Sequence, residues 1–141
     1  MITTTKHHAR LLWPKESIIQ QHIIQYCQRF NDIPGFGVIH VQNEGKDMAK
    51  VGWQMKSKRM GLLPGATDLI IMVPGGKTLY REIKRPDFHF INSETGKKNT
   101  LRGGQLSDDQ TMFRDKCLAG DHDWGLWTSI DEAVPDLKKY L

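Results

Sequence analysis

Three observations predict an α/β fold, a mixed β-sheet flanked by helices on both faces. An amphipathic helical stripe comes early in the chain, a strongly apolar hairpin occupies its middle, and a capped helix, a short strand and a last helix follow. A hairpin followed by a helix and a further strand builds a sheet with mixed strand directions and leaves helices to cover it. At 141 residues, one domain spanning 1–141 is the most economical division. A chain of this size buries about 68–70% of the surface that its unfolded form exposes.

The elements follow in order. Residues 15–30, "KESIIQQHIIQYCQRF", set Ile19, Ile23, Tyr26 and Phe30 at helical spacing, with Ile18 and Cys27 widening the stripe, and "NDIPG" stops the helix. "FGVIHVQ" (36–42) reads as a strand, and a polar basic loop leads from it to the hairpin, "LIIMVPGGKTLYREI". The stretch 85–105 reads as a long polar connection, of a kind that in compact domains is usually functional or mobile. Ser107 with Gln110 forms a capping box that starts a helix running to about Ala119, where Gly120 is placed to end it. "WGLWT" (124–128) is a short buried strand. Ser129 with Glu132 repeats the capping signal for a C-terminal helix that Pro135 is placed to interrupt or restart.

Composition narrows the function classes. Lys plus Arg exceed Asp plus Glu by 4, a weak general preference for anionic partners. The distribution is more informative. Lys46, Lys56, Lys58 and Arg59 fall in the first polar loop, and Lys97, Lys98 and Arg102 in the second, where loops would present them to a phosphate backbone. Cys27 and Cys117 lie in helical segments with no paired-thiol spacing, which predicts reduced core thiols and a cytoplasmic setting. The N-terminal segment lacks a signal-like apolar core, and "LIIMV" is too short to cross a membrane. No organic cofactor motif is present. His40, His89 and His122 show no zinc spacing.

The hairpin carries the sharpest problem. Its most strand-like segment holds Asp68, Glu82 and Lys84, and buried charges are costly unless paired or bound to a metal. A two-residue Gly75-Gly76 turn would set Asp68 opposite Ile83 and scatter the acids over two faces. A three-residue Pro74-Gly75-Gly76 loop pairs Val73 with Lys77 and sets Asp68 opposite Glu82; a type I turn followed by a left-handed Gly76 would build it. Two carboxylates about 4 Å apart repel by roughly 4 kcal/mol at an effective dielectric of about 20, so a proton or a cation must join them. A Glu82–Lys84 salt bridge is the simpler alternative, but it leaves Asp68 unaccounted for. Mg²⁺ or Mn²⁺ would account for all three, with Lys84 left to meet an anion.

These residues resemble a known pattern. G-x-x-D, a hairpin and E-x-K together are similar to the PD-(D/E)xK nuclease signature, and the chain as a whole resembles the virus-type replication-repair nuclease (VRR-NUC) family. The resemblance rests on "KESIIQ", "VQNEG", "GLLPGATDLIIM", "YREIKRP", "LSDDQTMF" and "WGLWTSIDEAV", in that order and over nearly the entire chain. It implies a restriction-endonuclease-like core. It further implies that Asp68 and Glu82 hold a divalent metal with the backbone carbonyl of Ile83, and that Glu16 reaches the same site directly or through water. Lys84 would orient or activate the attacking water, and Gln110 would position the site. Bland roles compete at two positions: Glu16 suits a first helical turn electrostatically, and Gln110 suits the capping box. Asn43 and Glu44 either cap a strand end or touch DNA. Arg81 stands where the family usually has an apolar residue, on the face away from Asp68, so it must reach an acid, another subunit or solvent.

The expectation is therefore a Mg²⁺- or Mn²⁺-dependent endodeoxyribonuclease. Its partner is DNA, and the resemblance implies branched substrates such as four-way junctions and a homodimer that addresses two strands. Trp13, Trp53 and Phe90 are candidate interface residues. A non-catalytic DNA-binding module and a structural subunit of a replication or repair assembly are the alternatives.

Overall fold

The computed structural model describes residues 1–41 and 63–141. In chain order its elements are β1 (Thr3–Thr4), α1 (Lys6–Leu12), α2 (Glu16–Cys27) with a 3-10 turn (Gln28–Phe30), β2 (Gly37–His40), β3 (Leu69–Val73), β4 (Lys77–Ile83), β5 (Phe88–Asn92), β6 (Lys98–Leu101), α3 (Asp108–Ala119), β7 (Asp123–Trp127) and α4 (Ile130–Lys138). The sheet predicted from sequence is present in the order β2-β3-β4-β7, antiparallel except for the parallel β4–β7 pair. It is mixed because α3 carries the chain back before β7 is laid down, and a strand reached through a crossover returns parallel.

The alternation of β3 decides which helices cover which face. Leu69, Ile71 and Val73 are buried together with Leu79 and Ile83 of β4 under Ile19, Ile23 and Cys27 of α2 and Ala133 and Leu137 of α4. Full burial of Ile23, Leu69, Ile71, Leu79 and Leu137, each 0–1% exposed, stabilises by about 1.5–3 kcal/mol apiece. On the opposite face Tyr80 meets Phe113 of α3 edge-on at 6.1 Å. Both cysteines are free and buried, and burial pushes the Cys27 thiol up to about 11. Helix α4 runs through Pro135 without a break, so the proline neither interrupts nor restarts it.

The polar connection expected over 85–105 is instead structured. β5 and β6 pair as an antiparallel hairpin, and β1 joins β5 in parallel to complete a second, three-stranded sheet. Phe90 is the reason: at 0% exposure it gives this small sheet its own apolar centre. That burial removes Phe90 from any interface. Trp13 is also engaged internally, its indole N–H donating to the carbonyl of Pro86 at 2.6 Å while the Arg85 guanidinium stacks over its ring at 3.6 Å. Trp53 lies outside the described residues.

Arg81 reaches acids. It is 2% exposed, donates to Asp136 at 3.0 Å and Asp123 at 2.9 Å, and lies over the Trp127 ring. Tyr140 and Lys77 also bind Asp123. Burial alone would raise the Asp123 carboxyl, but the Tyr140 hydroxyl, Arg81 and Lys77 outweigh it and hold the group below its ordinary 3.8.

Candidate active site

The hairpin register runs from Val73 opposite Lys77 to Leu69 opposite Arg81. One step further along, it sets Asp68 opposite Glu82, as the three-residue loop predicts. The turn itself differs from expectation. Gly75 as well as Gly76 has positive φ, 91° and 78°, and a positive φ at the second central residue belongs to a type II turn rather than type I. The loop length, which fixes the register, is unaffected.

Asp68 is half-buried at the entrance to β3 and is held by backbone on two sides. Its carbonyl accepts the Val41 N–H at 2.9 Å, and its Oδ2 accepts the Ile83 N–H at 2.8 Å. The carboxylate thus occupies the place where a ladder carbonyl would otherwise sit. Gly65 sets the approach. Its φ is 76°, and a Cβ there would fall 2.1 Å from the Asp109 carbonyl, so the chain entering β3 passes hard against the start of α3.

Glu16, at the first position of α2, lines a cleft of about 510 Å³ together with Asp68 and Ile83. Three of the four metal-ligand candidates therefore share one wall. Glu82, Lys84 and Gln110 are not among the residues lining it. Glu82 is 1% exposed and its Oε1 accepts a hydrogen bond from Gln110 Nε2 at 3.0 Å. Lys84 is half-buried just beyond β4, with its backbone N–H donating to Trp127 at 3.0 Å. Gln110 makes the cap and a contact to the hairpin acid at once: its Oε1 accepts the Ser107 N–H to close the capping box, and its Nε2 donates to Glu82.

The donor set can be tested against the implied ion. Glu16, Asp68 and the peptide at Ile83 offer oxygen, the ligand type that Mg²⁺ and Mn²⁺ prefer. Among the described residues, no group of three or more His, Cys, Asp or Glu side chains converges. The residues present fit an open, largely hydrated ion held by one or two carboxylates, the usual manner of Mg²⁺. They do not form a closed cage.

Of the DNA-binding candidates, Lys98 and Arg102 are brought together. They line a shallow cleft of about 360 Å³ with Lys6, which the sequence reading missed because nothing tied the N-terminal segment to β6. Arg102 also pairs with Asp87 at 3.5 Å. Lys97 is exposed in the turn before β6. Asn43, Glu44, Lys46, Lys56, Lys58 and Arg59 lie outside the described residues. His40, which shows no zinc spacing in the sequence, has its ring in the wall of the Asp68 cleft, 2.9 Å from Gln20 and 3.3 Å from the Asp68 carbonyl. No protein-family model, curated protein or solved structure matches the chain. Among the described residues, no helix is long and apolar enough to cross a membrane.

Proposed function

We propose that this chain is a Mg²⁺- or Mn²⁺-dependent endodeoxyribonuclease of the PD-(D/E)xK type, similar to the virus-type replication-repair nucleases and selective for branched DNA. One observation carries the reading. The β3–β4 register sets Asp68 opposite the E-x-K strand, while α2 brings Glu16 to the same cleft. Random polar decoration of a hairpin does not gather an acid from a distant helix.

In this reading Asp68 and Glu16 would hold the ion with the Ile83 carbonyl, and Glu82, buried and bonded to Gln110, would be the acid of the E-x-K strand beside them. When bound, the ion supplies Lewis acidity to the phosphoryl oxygens and lowers the pKa of its water. Hydrolysis forms a P–O bond from the water oxygen and breaks the P–O bond to the leaving sugar oxygen, which takes up a proton. Lys84 orients the water and offsets the charge that grows on the phosphate. Gln110 keeps Glu82 in one rotamer. A homodimer would present two such sites to two strands of a junction.

The test is incubation with supercoiled plasmid and with a synthetic four-way junction, each with Mg²⁺, with Mn²⁺ and with chelator. Cleavage with metal and none with chelator is expected; no cleavage of either substrate with either metal sinks the proposal. Asp68→Asn and Lys84→Ala are expected to lower cleavage at least about a hundredfold while DNA binding persists. A non-catalytic DNA-binding module is the second reading, favoured by the lack of a converging three-ligand group among the described residues. It requires that the wild-type protein bind the junction and leave it intact.

A further inference from the structure

The cleft that holds Asp68 has an unusual wall. Ser17, Gln20, Gln21, Ile24, Gln25 and Gln28 line it, at spacings of three and four that place them along one face of α2 and the turn after it. Residues 17–28 contain no Asp, Glu, Lys or Arg. In a chain that is 26% charged, about three would be expected over twelve residues. A solvated helix face would ordinarily carry them. The opposite face of the same helix is core, through Ile19, Ile23 and Cys27, so the neutral face is not a consequence of burial: Gln21, Gln25 and Gln28 are exposed.

A track for phosphates would be basic, because backbone affinity comes from cations that displace counterions. This wall is neutral, and two carboxylates stand at its end. What primary amides offer is a donor and an acceptor side by side, which is the pattern on the edges of nucleobases. Ile24 adds an apolar contact. The cleft volume, about 510 Å³, lies in the range that takes a small organic ligand. Gln20, through His40 and the Asp68 carbonyl, joins the wall to the site.

We infer that the α2 glutamine face is a nucleobase-binding track that seats a nucleotide beside the phosphate to be cut. This deepens the nuclease reading and rests on it for the identity of the ligand.

The experiment measures equilibrium binding in chelator of a fluorescent four-way junction, intact or with one abasic nucleotide moved a position at a time along one arm. The proteins are wild type and Gln21→Ala/Gln25→Ala, both sites being exposed helix positions where alanine favours the helix. Loss of one or two neutral hydrogen bonds is expected to weaken binding of the intact junction about tenfold. The slope of log affinity against log salt stays as in wild type. Wild type loses a similar factor at one or two abasic positions, and the double variant loses nothing further there. Unchanged binding by the variant overturns the track. So does a shallower salt slope, which would mean phosphate contacts, and so does a full additional loss at every abasic position. Because binding is read without metal, the two readings fail separately. Wild type that binds but cuts with neither ion sinks the nuclease and leaves this comparison in force, whereas wild type that cuts while the variant binds equally sinks only the track.

Discussion

Gln110 accepts the Ser107 N–H at 2.9 Å through Oε1 while donating to Glu82 at 3.0 Å through Nε2, so one amide closes a helix cap and fixes a buried carboxylate. Gln110→Ala removes both and is expected to cost about 1–2 kcal/mol, read as a fall in Tm. Gln110→Glu separates the two functions. Glutamate is an equally good capping-box residue, but it sets a second carboxylate against Glu82, a repulsion of up to roughly 4 kcal/mol at an effective dielectric of about 20. Such a pair has at least one carboxyl raised above its unfolded value, so stability is lost as pH rises through the raised folded value and is recovered on acidification. Gln110→Glu is therefore expected to be strongly destabilised at pH 7.5 and to approach the wild-type Tm near pH 5. An equal deficit at both values would show that Glu82 and residue 110 do not interact. Sequence alone offered the cap and a site-positioning role as rivals, since a capping box is local and the bond that its amide nitrogen makes to Glu82 has no sequence signature.

At the scale of elements, the hairpin was legible and its surroundings were not. The register follows from one count, the three residues between Val73 and Lys77, because side chains alternate strictly along a strand. The turn type was missed although Pro74-Gly75 at the two central positions is the type II pattern, because the bulge expected after the turn put the left-handed residue at Gly76 alone. The second sheet was missed because Phe88, Phe90 and Ile91 are a short apolar run inside a polar stretch, and the β1 strand that helps pair it is two residues long. Neither piece is strand-like without the other. Gly65 shows how elements fix one another. Gly65→Ala must pay roughly 1–2 kcal/mol for the left-handed backbone and must also move the start of α3 away from a Cβ that would lie 2.1 Å from the Asp109 carbonyl. The expected result is a Tm lowered by several degrees; under the nuclease proposal, cleavage would also fall more than stability predicts, because α3 carries Gln110 to Glu82. Cleavage that tracks the folded fraction alone would detach α3 from the site.

Across the whole molecule, Arg81 is the charge that ties the pieces together. It stands on β4, among the core residues, and its partners come from the start of β7 and from α4, while Tyr140 near the C-terminus closes on the same Asp123. Breaking a buried pair by removing one partner typically costs about 3–5 kcal/mol. Arg81→Ala, which leaves two half-buried carboxylates facing each other, is expected at that level. The acid limb is a sharper test. Asp123 titrates below 3.8 in the folded protein, so its contribution is complete above the unfolded value and is lost as pH falls from about 4 through the lower folded value. Lys77 and Tyr140 are both raised, chiefly by their hydrogen bonds to Asp123, so their share holds through neutral pH and disappears only as pH rises past 10. Denaturant midpoints for wild type should therefore be flat from pH 5 to 9 as far as this cluster is concerned and drop below pH 4. Asp123→Asn should lie lower throughout the flat region and lose less on acidification, so that the two curves converge as pH falls below 4. Parallel curves would mean that the carboxylate is not the titrating element, and that the clamp on β4, β7 and α4 depends on Arg81 packing against Trp127 rather than on charge.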